Sequence, residues 1–132
     1  MMTNQPVAAI ILAAGRGTRM KSDLHKVLHP LAGRPMLLHL LASVEALEPA
    51  AKVVVVGSQR EQVEAAVAGT GTAIAVQDPQ HGTAHAVQQA ESALKGFDGD
   101  VLILYGDVPL VSTATMAAML GQLDDATAVV VL

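Results

Sequence analysis

Residues 7–17 read VAAIILAAGRG, a short apolar run that ends in small residues and two glycines. The apolar residues are continuous rather than alternating, which is typical of a strand buried on both faces of a parallel sheet. Gly15 and Gly17 can adopt positive φ, so the backbone N–H groups of the turn can converge on an anion. This stretch therefore predicts a buried first strand that leads into a phosphate-binding turn. The alternative is an ordinary turn between a strand and a helix.

Apolar runs and helical patterns alternate along the rest of the chain. The strands are expected at residues 7–12, 52–56, 73–76, 101–105 and 127–132, and the helices at residues 36–48, 59–68, 83–94 and 112–123. This alternation predicts an α/β fold of Rossmann-like type, with a mostly parallel sheet, right-handed crossovers and helices on both faces. If the strands lie in the order third, second, first, fourth, the first and fourth strands end beside one crevice.

The composition narrows the class of protein. The chain has 132 residues, of which 52% are hydrophobic and 15% charged, so we expect one folded domain rather than a disordered chain. The sequence contains no cysteine, which excludes disulfides, thiolate zinc sites and cysteine nucleophiles. The apolar segment at residues 7–14 is too short for a signal peptide or a membrane span, and we expect a soluble, cytoplasmic protein. The sequence stops inside its last expected strand, which favours an incomplete domain.

The basic residues are concentrated in one segment. The net charge is −4, which gives no reason to expect binding to nucleic acid. Nevertheless, five of the eight basic residues lie in one short stretch whose only acid is Asp23: Arg16, Arg19, Lys21, Lys26 and Arg34. An acidic protein that concentrates its cations in this way is expected to bind an anion there. A solvated basic loop is the alternative.

Two glutamines follow the third expected strand. Gln77 and Gln80 precede Gly82 and Thr83, which open the next expected helix. A glutamine amide offers a donor and an acceptor, as the edge of a pyrimidine requires, and a helix N-terminus supplies free N–H groups. The alternative is that both glutamines are exposed loop residues beside a simple helix start.

An acid follows the fourth expected strand, in the sequence Tyr105-Gly106-Asp107. A carboxylate at the carboxyl end of a buried parallel strand lies where open α/β sheets bind ligands. Carboxylate oxygens also suit Mg²⁺, which proteins usually hold through one or two carboxylates and the phosphates of a substrate. The alternative is a turn with a capping or solvated aspartate.

Several familiar sites do not fit the sequence. A Rossmann fingerprint requires a third glycine where Met20 stands, and the P-loop ending Gly-Lys-Ser/Thr is missing. No serine has the Gly-x-Ser-x-Gly context of a hydrolase nucleophile. Two histidine pairs, His25 with His29 and His81 with His85, have a spacing that zinc ligands use, but no zinc motif surrounds them. We interpret these histidines as structural or incidental, with a zinc site as the alternative.

Three ordered blocks of sequence carry a resemblance to a known family. The first block consists of Leu12-Ala13-Ala14-Gly15-x-Gly17-Thr18-Arg19-Met20, Lys26-Val27-Leu28 and Gly33-x-Pro35-Met36, and it resembles nucleoside-diphosphate-sugar pyrophosphorylases. The other two are Gln77-x-x-Gln80-x-Gly82-Thr83-Ala84-His85-Ala86 and Tyr105-Gly106-Asp107-Val108-Pro109-Leu110. They are similar to the uridyltransferase domain of the bacterial GlmU family, the bifunctional N-acetylglucosamine-1-phosphate uridyltransferases and glucosamine-1-phosphate acetyltransferases. The similarity runs from about Val7 to the end of the chain.

The resemblance implies Mg²⁺-dependent uridylyl transfer from UTP to N-acetylglucosamine 1-phosphate, which yields UDP-N-acetylglucosamine and pyrophosphate for cell-wall and lipopolysaccharide synthesis. It implies that Arg19 and Lys26 stabilise the phosphates and that Asp107 binds Mg²⁺. The substrate-binding residues that it implies are Leu12, Ala13, Ala14, Gly15, Lys26, Gln77, Gly82, Thr83, Tyr105 and Gly106.

The resemblance covers only part of the family's proteins. Residues 1–132 correspond to the N-terminal part of the nucleotidyltransferase domain, whose remainder supplies further sugar contacts and a second protein ligand for Mg²⁺ in the family. The acetyltransferase β-helix domain has no counterpart in the sequence, and homo-oligomerisation of the complete protein stays open. His81 also stands where the family often has an apolar residue.

Other functions remain compatible with these motifs. One is a related nucleotidyltransferase with another base or acceptor, such as a molybdopterin guanylyltransferase or a hexose-1-phosphate thymidylyltransferase. The others are a non-catalytic nucleotide-binding module and a fragment that binds nothing. Gln77 together with Tyr105-Gly106-Asp107 favours uridylyl transfer.

Overall fold

A computed structural model of the chain describes residues 5–15, 23–57 and 60–132. Within these ranges the strands are β1 (Val7–Ala13), β2 (Pro30–Leu31), β3 (Arg34–Pro35), β4 (Ala51–Val56), β5 (Ala73–Val76) and β6 (Asp100–Tyr105). The helices are α1 (Met36–Glu45), α2 (Arg60–Val67), α3 (Thr83–Gln89) and α4 (Thr113–Leu120), and two short 3-10 helices cover Lys26–Leu28 and Ser92–Leu94.

The main sheet has four strands in the order β5-β4-β1-β6, and every pair within it is parallel. This confirms the predicted α/β fold, and the order third, second, first, fourth meets the condition under which the first and fourth strands end beside one crevice. Leu12 of β1 pairs with Val55 of β4 on one side and with Tyr105 of β6 on the other. Because the strands share one direction, their carboxyl ends meet at the same edge of the sheet.

Successive side chains of β1 point into two separate core layers, because side chains alternate between the faces of a strand. Ile11 is fully buried in the layer that contains α1, α2 and α4. Ile10 is 3% exposed and lies in the layer that contains α3. Helices therefore cover both faces of the sheet, as predicted, and the continuous apolar run at residues 7–13 follows from this double burial.

Local sequence explains where the helices begin and end. Pro35 fixes its own φ and lies directly before α1, whose buried face is made by Leu37, Leu40, Leu41 and Val44. The Ser112 hydroxyl accepts a hydrogen bond from the backbone N–H of Thr115 at 3.1 Å and caps α4. Gly69, which follows α2, has φ +79°, a conformation that favours glycine at a helix end. No helix in the described ranges is long and apolar enough to cross a membrane.

Several local predictions differ from the structure. The helix expected at 36–48 ends at Glu45, and the helix expected at 112–123 ends at Leu120. The helix expected at 83–94 divides into α3 and the 3-10 helix at Ser92–Leu94. The β2–β3 hairpin was not predicted, since each of its strands has two residues and two residues carry no periodicity.

The expected fifth strand at 127–132 is wrong. The segment has no regular secondary structure, and Val129 and Val131 are 75% and 85% exposed. Its β-branched residues favour an extended chain, but a strand forms only when a neighbouring strand takes up its hydrogen bonds. The backbone of Thr127 instead exchanges hydrogen bonds with Asp124, which closes a turn.

Candidate functional site

A pocket opens at the carboxyl edge of the sheet, where β1, β5 and β6 end. Its volume is about 270 Å³. It is lined by Leu12, Ala13, Ala14, Gly15, Lys26, Val27, Gln77, Gln80, Gly82, Thr83, Ala86, Tyr105 and Asp107. These residues come from four separate parts of the sequence, so the pocket exists only because the parallel order brings the strand ends together.

The β1–β6 pairing forms the floor of the pocket. The backbone N–H of Gly106 donates to the carbonyl of Leu12 at 2.9 Å, which continues the ladder beyond the last strand residue. A Cβ at position 106 would lie 3.0 Å from Cγ1 of Val27, so a side chain there would press on that wall. Gly106 therefore lets the segment that carries Asp107 approach the turn after β1.

The turn after β1 is held from the opposite side by Gln80. The Gln80 amide donates a hydrogen bond to the backbone carbonyl of Ala14, across 66 positions of sequence. Gly57, which follows β4, lies beneath this contact, and its missing side chain leaves the space that the amide fills. The pocket wall is thus fixed by a polar contact between two loops.

Gln77 forms the inner end of the pocket. The residue is only 3% exposed, and its backbone N–H donates to Val56 at 2.8 Å. The Nε2 group of its side chain donates to the carbonyl of Gly82 at 2.9 Å and lies 3.0 Å from Nδ1 of His85. Gly82 has φ +98° and precedes α3, so its carbonyl can turn toward Gln77 while Thr83 begins the helix.

Lys26 and Asp107 form the outer, charged end of the pocket. Nζ of Lys26 lies 2.8 Å from a carboxylate oxygen of Asp107, and both side chains remain partly exposed. The ion pair therefore lies at the mouth of the pocket, where it is accessible to a charged ligand.

His25 supports the short helix that carries Lys26. Its Nδ1 accepts a hydrogen bond from the N–H of Val27 at 3.3 Å, and its backbone N–H donates to Gln62 of α2 at 2.7 Å. Burial lowers the pKa of His25, because a charged imidazole would lose its hydration there. Since Nδ1 acts as an acceptor, the neutral ring is the form that completes this cap.

The structure brings together nearly all the described residues that the sequence indicated. Leu12, Ala13, Ala14, Gly15, Lys26, Gln77, Gly82, Thr83, Tyr105 and Asp107 all line the pocket, and Gly106 is buried directly behind it. Arg19, like Arg16 and Lys21 of the basic segment, lies outside the described residues. Arg34 does not line the pocket; it is exposed on β3.

Three lining residues were not among the predicted site residues. Gln80 was part of the quoted motif, but only the fold shows that it reaches Ala14. Val27 and Ala86 also stood in the quoted blocks, but as apolar residues they do not differ in type from core positions. Only the fold shows that they form part of the pocket wall.

Two further histidines make contacts within their own neighbourhood. The His29 ring bonds the carbonyl of Leu24 at 3.2 Å, and the His39 ring bonds the carbonyl of Leu31 at 2.6 Å. Within the described ranges there is no group of three or more His, Asp or Glu side chains that could hold a metal ion.

Comparison with known proteins identifies the family of the chain. The family model described as "MobA-like NTP transferase domain" matches residues 9–132. The chain belongs to this family. The match confirms the predicted nucleotidyltransferase class, and relatives named GlmU confirm the resemblance noted in the sequence.

Named relatives narrow the similarity within the family of NTP transferases. The chain is 72% identical over 131 residues to "Bifunctional protein GlmU" of Sphingopyxis alaskensis. The aligned part covers 98% of this chain and 29% of that protein. It is 54% identical over 125 residues to the protein of the same name from Zymomonas mobilis, with coverage of 93% and 28%. The chain thus spans less than a third of the length of these curated relatives.

Solved structures share the fold. A nucleotidyl transferase from Methanothermobacter superposes with a TM-score of 0.76 at 28% identity, covering 92% of this chain and 59% of that one. A protein from Mycobacterium tuberculosis superposes with the same TM-score of 0.76 at 26% identity, covering 91% and 61%. The NTP transferase fold thus extends over most of the chain.

Proposed function

We propose that the chain carries the UTP-binding part of an enzyme that transfers a uridylyl group to N-acetylglucosamine 1-phosphate. The observation that carries this proposal is the convergence of Gln77, Gly15 and Asp107 on one pocket at the sheet edge. The high identity to relatives named GlmU supports the choice of base and acceptor. We further propose that residues 1–132 are the N-terminal part of a nucleotidyltransferase domain, as the 29% coverage of the first relative suggests.

The inner end of the pocket suits a pyrimidine base. Gln77 is buried, and both hydrogens of its amide are directed to Gly82 and His85. Its carbonyl oxygen is then free to accept a hydrogen bond from the imide N–H of uracil. Ala13, Ala14 and Ala86 are small apolar residues of the wall, against which a flat ring can pack.

The outer end of the pocket suits the triphosphate. Lys26 supplies a positive charge, and Ala14 and Gly15 are small residues that let phosphate oxygens approach the backbone closely. We propose that Arg19, which follows Gly15 by four positions in the sequence, adds a second positive charge.

Asp107 fits a role in holding Mg²⁺. A single carboxylate beside a phosphate site matches the way in which proteins bind this ion, with few protein ligands and the rest supplied by phosphate and water. When bound, Mg²⁺ would neutralise charge on the phosphates. In its absence, Lys26 balances the charge of Asp107; with nucleotide bound, the lysine is available to the phosphates.

The chemistry requires little beyond positioning. An oxygen of the sugar 1-phosphate forms a bond to the α-phosphorus of UTP, and the bond from that phosphorus to the bridging oxygen of pyrophosphate breaks. A phosphate monoester has a second pKa of about 6, so the attacking oxygen is ionised near neutral pH without a base. Lys26 and Arg19 would stabilise the charge that moves onto the departing pyrophosphate.

Pyrophosphate release with a panel of substrates tests the proposal. The chain is mixed with Mg²⁺, with UTP, CTP, GTP or dTTP, and with N-acetylglucosamine 1-phosphate or glucose 1-phosphate. We expect release with UTP and the N-acetylated sugar, and binding of UTP by calorimetry. The proposal would also hold if this chain binds UTP without releasing pyrophosphate while a chain extended to the length of the relatives releases it. Release with a different nucleotide in preference to UTP would refute the proposed base.

Arg19→Ala separates the catalytic role from simple binding. We expect this variant to lower turnover more than UTP affinity, because the charge of the arginine matters most as pyrophosphate departs. A loss of affinity with an unchanged rate at saturation would contradict the catalytic role.

A further inference from the structure

The Gln77 amide is held in one orientation by two neighbours. One acceptor is the carbonyl of Gly82, which lies 2.9 Å from Nε2. A carbonyl can only accept, so the atom facing it must be the NH₂ group, and the orientation of the amide follows. The other neighbour is Nδ1 of His85, at 3.0 Å from the same Nε2.

The orientation of the amide in turn determines the tautomer of His85. Since the Gln77 NH₂ group donates toward Nδ1, that nitrogen must accept, and the imidazole hydrogen lies on Nε2. The Gln89 amide nitrogen lies 3.2 Å from Nε2, and it also donates to the backbone carbonyl of His85 at 3.2 Å. A neutral imidazole has one acceptor nitrogen, so only one glutamine can bond to it. The contact with Gln77 is shorter and belongs to the more deeply buried amide.

The remaining polar atom of this amide is its carbonyl oxygen. Gln77 is 3% exposed and lines the pocket, yet among the described residues no hydrogen bond to Oε1 is formed. In the described ranges, every buried side-chain polar atom has a hydrogen-bond partner. An oxygen without such a partner is therefore not fully buried. It therefore offers an acceptor to a ligand in the pocket.

We propose that His85 is a positioning residue that determines which pyrimidine the pocket accepts. This inference rests on the proposed uridine nucleotide site. With Nδ1 of His85 behind it, the Gln77 amide presents its oxygen, which accepts from the N3–H of uracil. Cytosine has a lone pair at N3, so the same oxygen repels it.

A rotated amide would reverse the selection. Rotation by 180° directs the NH₂ group into the pocket, where it can donate to N3 of cytosine. It directs the oxygen at the Gly82 carbonyl, which cannot donate, and at Nδ1 of His85, which can donate only if the ring hydrogen moves there from Nε2. A buried polar group without a partner typically costs a factor of about ten or more in an equilibrium. Removal of the imidazole eliminates one of these two mismatches and leaves the other, so discrimination weakens without disappearing.

His81 provides a matched control for His85. Its ring packs edge-on against that of His85, with the centroids 5.0 Å apart, but the residue is exposed and no hydrogen bond joins it to the Gln77 amide. Substitution of His85 removes an imidazole that contacts the Gln77 amide, and substitution of His81 removes a neighbouring imidazole that does not. The difference between the two variants therefore reports the effect of the contact.

The test compares the dissociation constants of UTP and CTP by calorimetry, because the two nucleotides carry the same phosphates. For His85→Leu we expect the preference for UTP to fall by about tenfold. For His85→Asn we expect most of the preference to return, since its Oδ1 stands near the position of Nδ1 and accepts from the same NH₂ group. His81→Leu should retain the preference. If His85→Leu keeps the preference, or if His85→Asn loses it as fully as His85→Leu, the proposal is overturned.

A second measurement keeps this inference separate from the function proposed above. Nitrogen chemical shifts of the imidazole, from a long-range ¹H–¹⁵N correlation, report which ring nitrogen carries the hydrogen. We expect an unprotonated Nδ1 in His85 of the nucleotide-free chain. A protonated Nδ1 would overturn the inference even if UTP binds. An unprotonated Nδ1 in a chain that binds no uridine nucleotide would instead locate the failure in the proposed function.

Discussion

Gly57→Ala tests the idea that the pocket wall depends on close contact between two loops. A Cβ at this position would lie 2.7 Å from the backbone oxygen of Ala14 and 2.6 Å from Nε2 of Gln80. Both distances are shorter than van der Waals contact, and one of the two atoms belongs to the backbone, which cannot rotate away. Overpacking of this kind costs about 1–3 kcal/mol, which lowers the melting temperature of a domain of this size by roughly 4–11 °C.

Thermal unfolding and UTP calorimetry measure the two consequences. We expect a lower melting temperature and weaker UTP binding, because both displaced groups line the pocket. Gly15→Ala is the stability control: none of the described atoms lies within 4 Å of its added Cβ. In the double variant Gly57→Ala/Gln80→Ala the side-chain clash is gone and the backbone clash remains, so stability should recover only in part. A Gly57→Ala protein with unchanged melting temperature would refute the packing argument.

Three further predictions concern pH, metal and the core. Burial lowers the pKa of His25 below the ordinary 6.5, so the unfolded chain binds a proton at this residue that the folded chain does not. The free energy of unfolding therefore falls as the pH drops below about 6.5, by at most about 1.4 kcal/mol per pH unit. Urea unfolding between pH 5 and 8 should show a weaker dependence of stability on pH in His25→Asn than in the unchanged chain. The same dependence in both proteins would contradict this prediction. Asp107→Asn should reduce the gain in UTP affinity that Mg²⁺ provides by at least about tenfold, measured by calorimetry at varied Mg²⁺. The free energy of unfolding should change by no more than about 1 kcal/mol, because the ion pair of Asp107 with Lys26 is partly exposed. Leu40→Ala, at a fully buried position, should lower the free energy of unfolding by about 2–5 kcal/mol. Leu110→Ala, at an exposed position, should change it by less than about 0.5 kcal/mol. Equal effects of the two substitutions would contradict the described core.

The sequence predicted the elements whose signal is local. The β1 strand is a continuous apolar run, and the buried face of α1 repeats at helical spacing, so both were placed to within a few residues. The strand expected at 127–132 had the same local signal and failed. Strand formation depends on a partner for the backbone hydrogen bonds, and no local pattern reveals whether that partner is present.

The candidate site divides in a similar way. Gly15, Gln77 and Asp107 were indicated because their types suit phosphate, base and metal and because each follows a predicted strand. The role inferred for His85 was inaccessible from the sequence, where the residue appeared in a quoted block and in a spaced pair, without a sign that it contacts Gln77. Its contact with Gln77 depends on a loop that returns the chain to the same point over eight residues.

The type of fold and the chemical character of the site can be predicted from the sequence, because hydrophobic period and residue type are properties of neighbouring positions. Only the folded chain shows that Gly15 and Asp107 line one pocket and that Lys26 pairs with Asp107 at its mouth. Those contacts arise from the order β5-β4-β1-β6, which places β6 beside β1 although most of the chain separates them. Strand order is settled by how whole layers pack, and no short stretch of sequence contains that information.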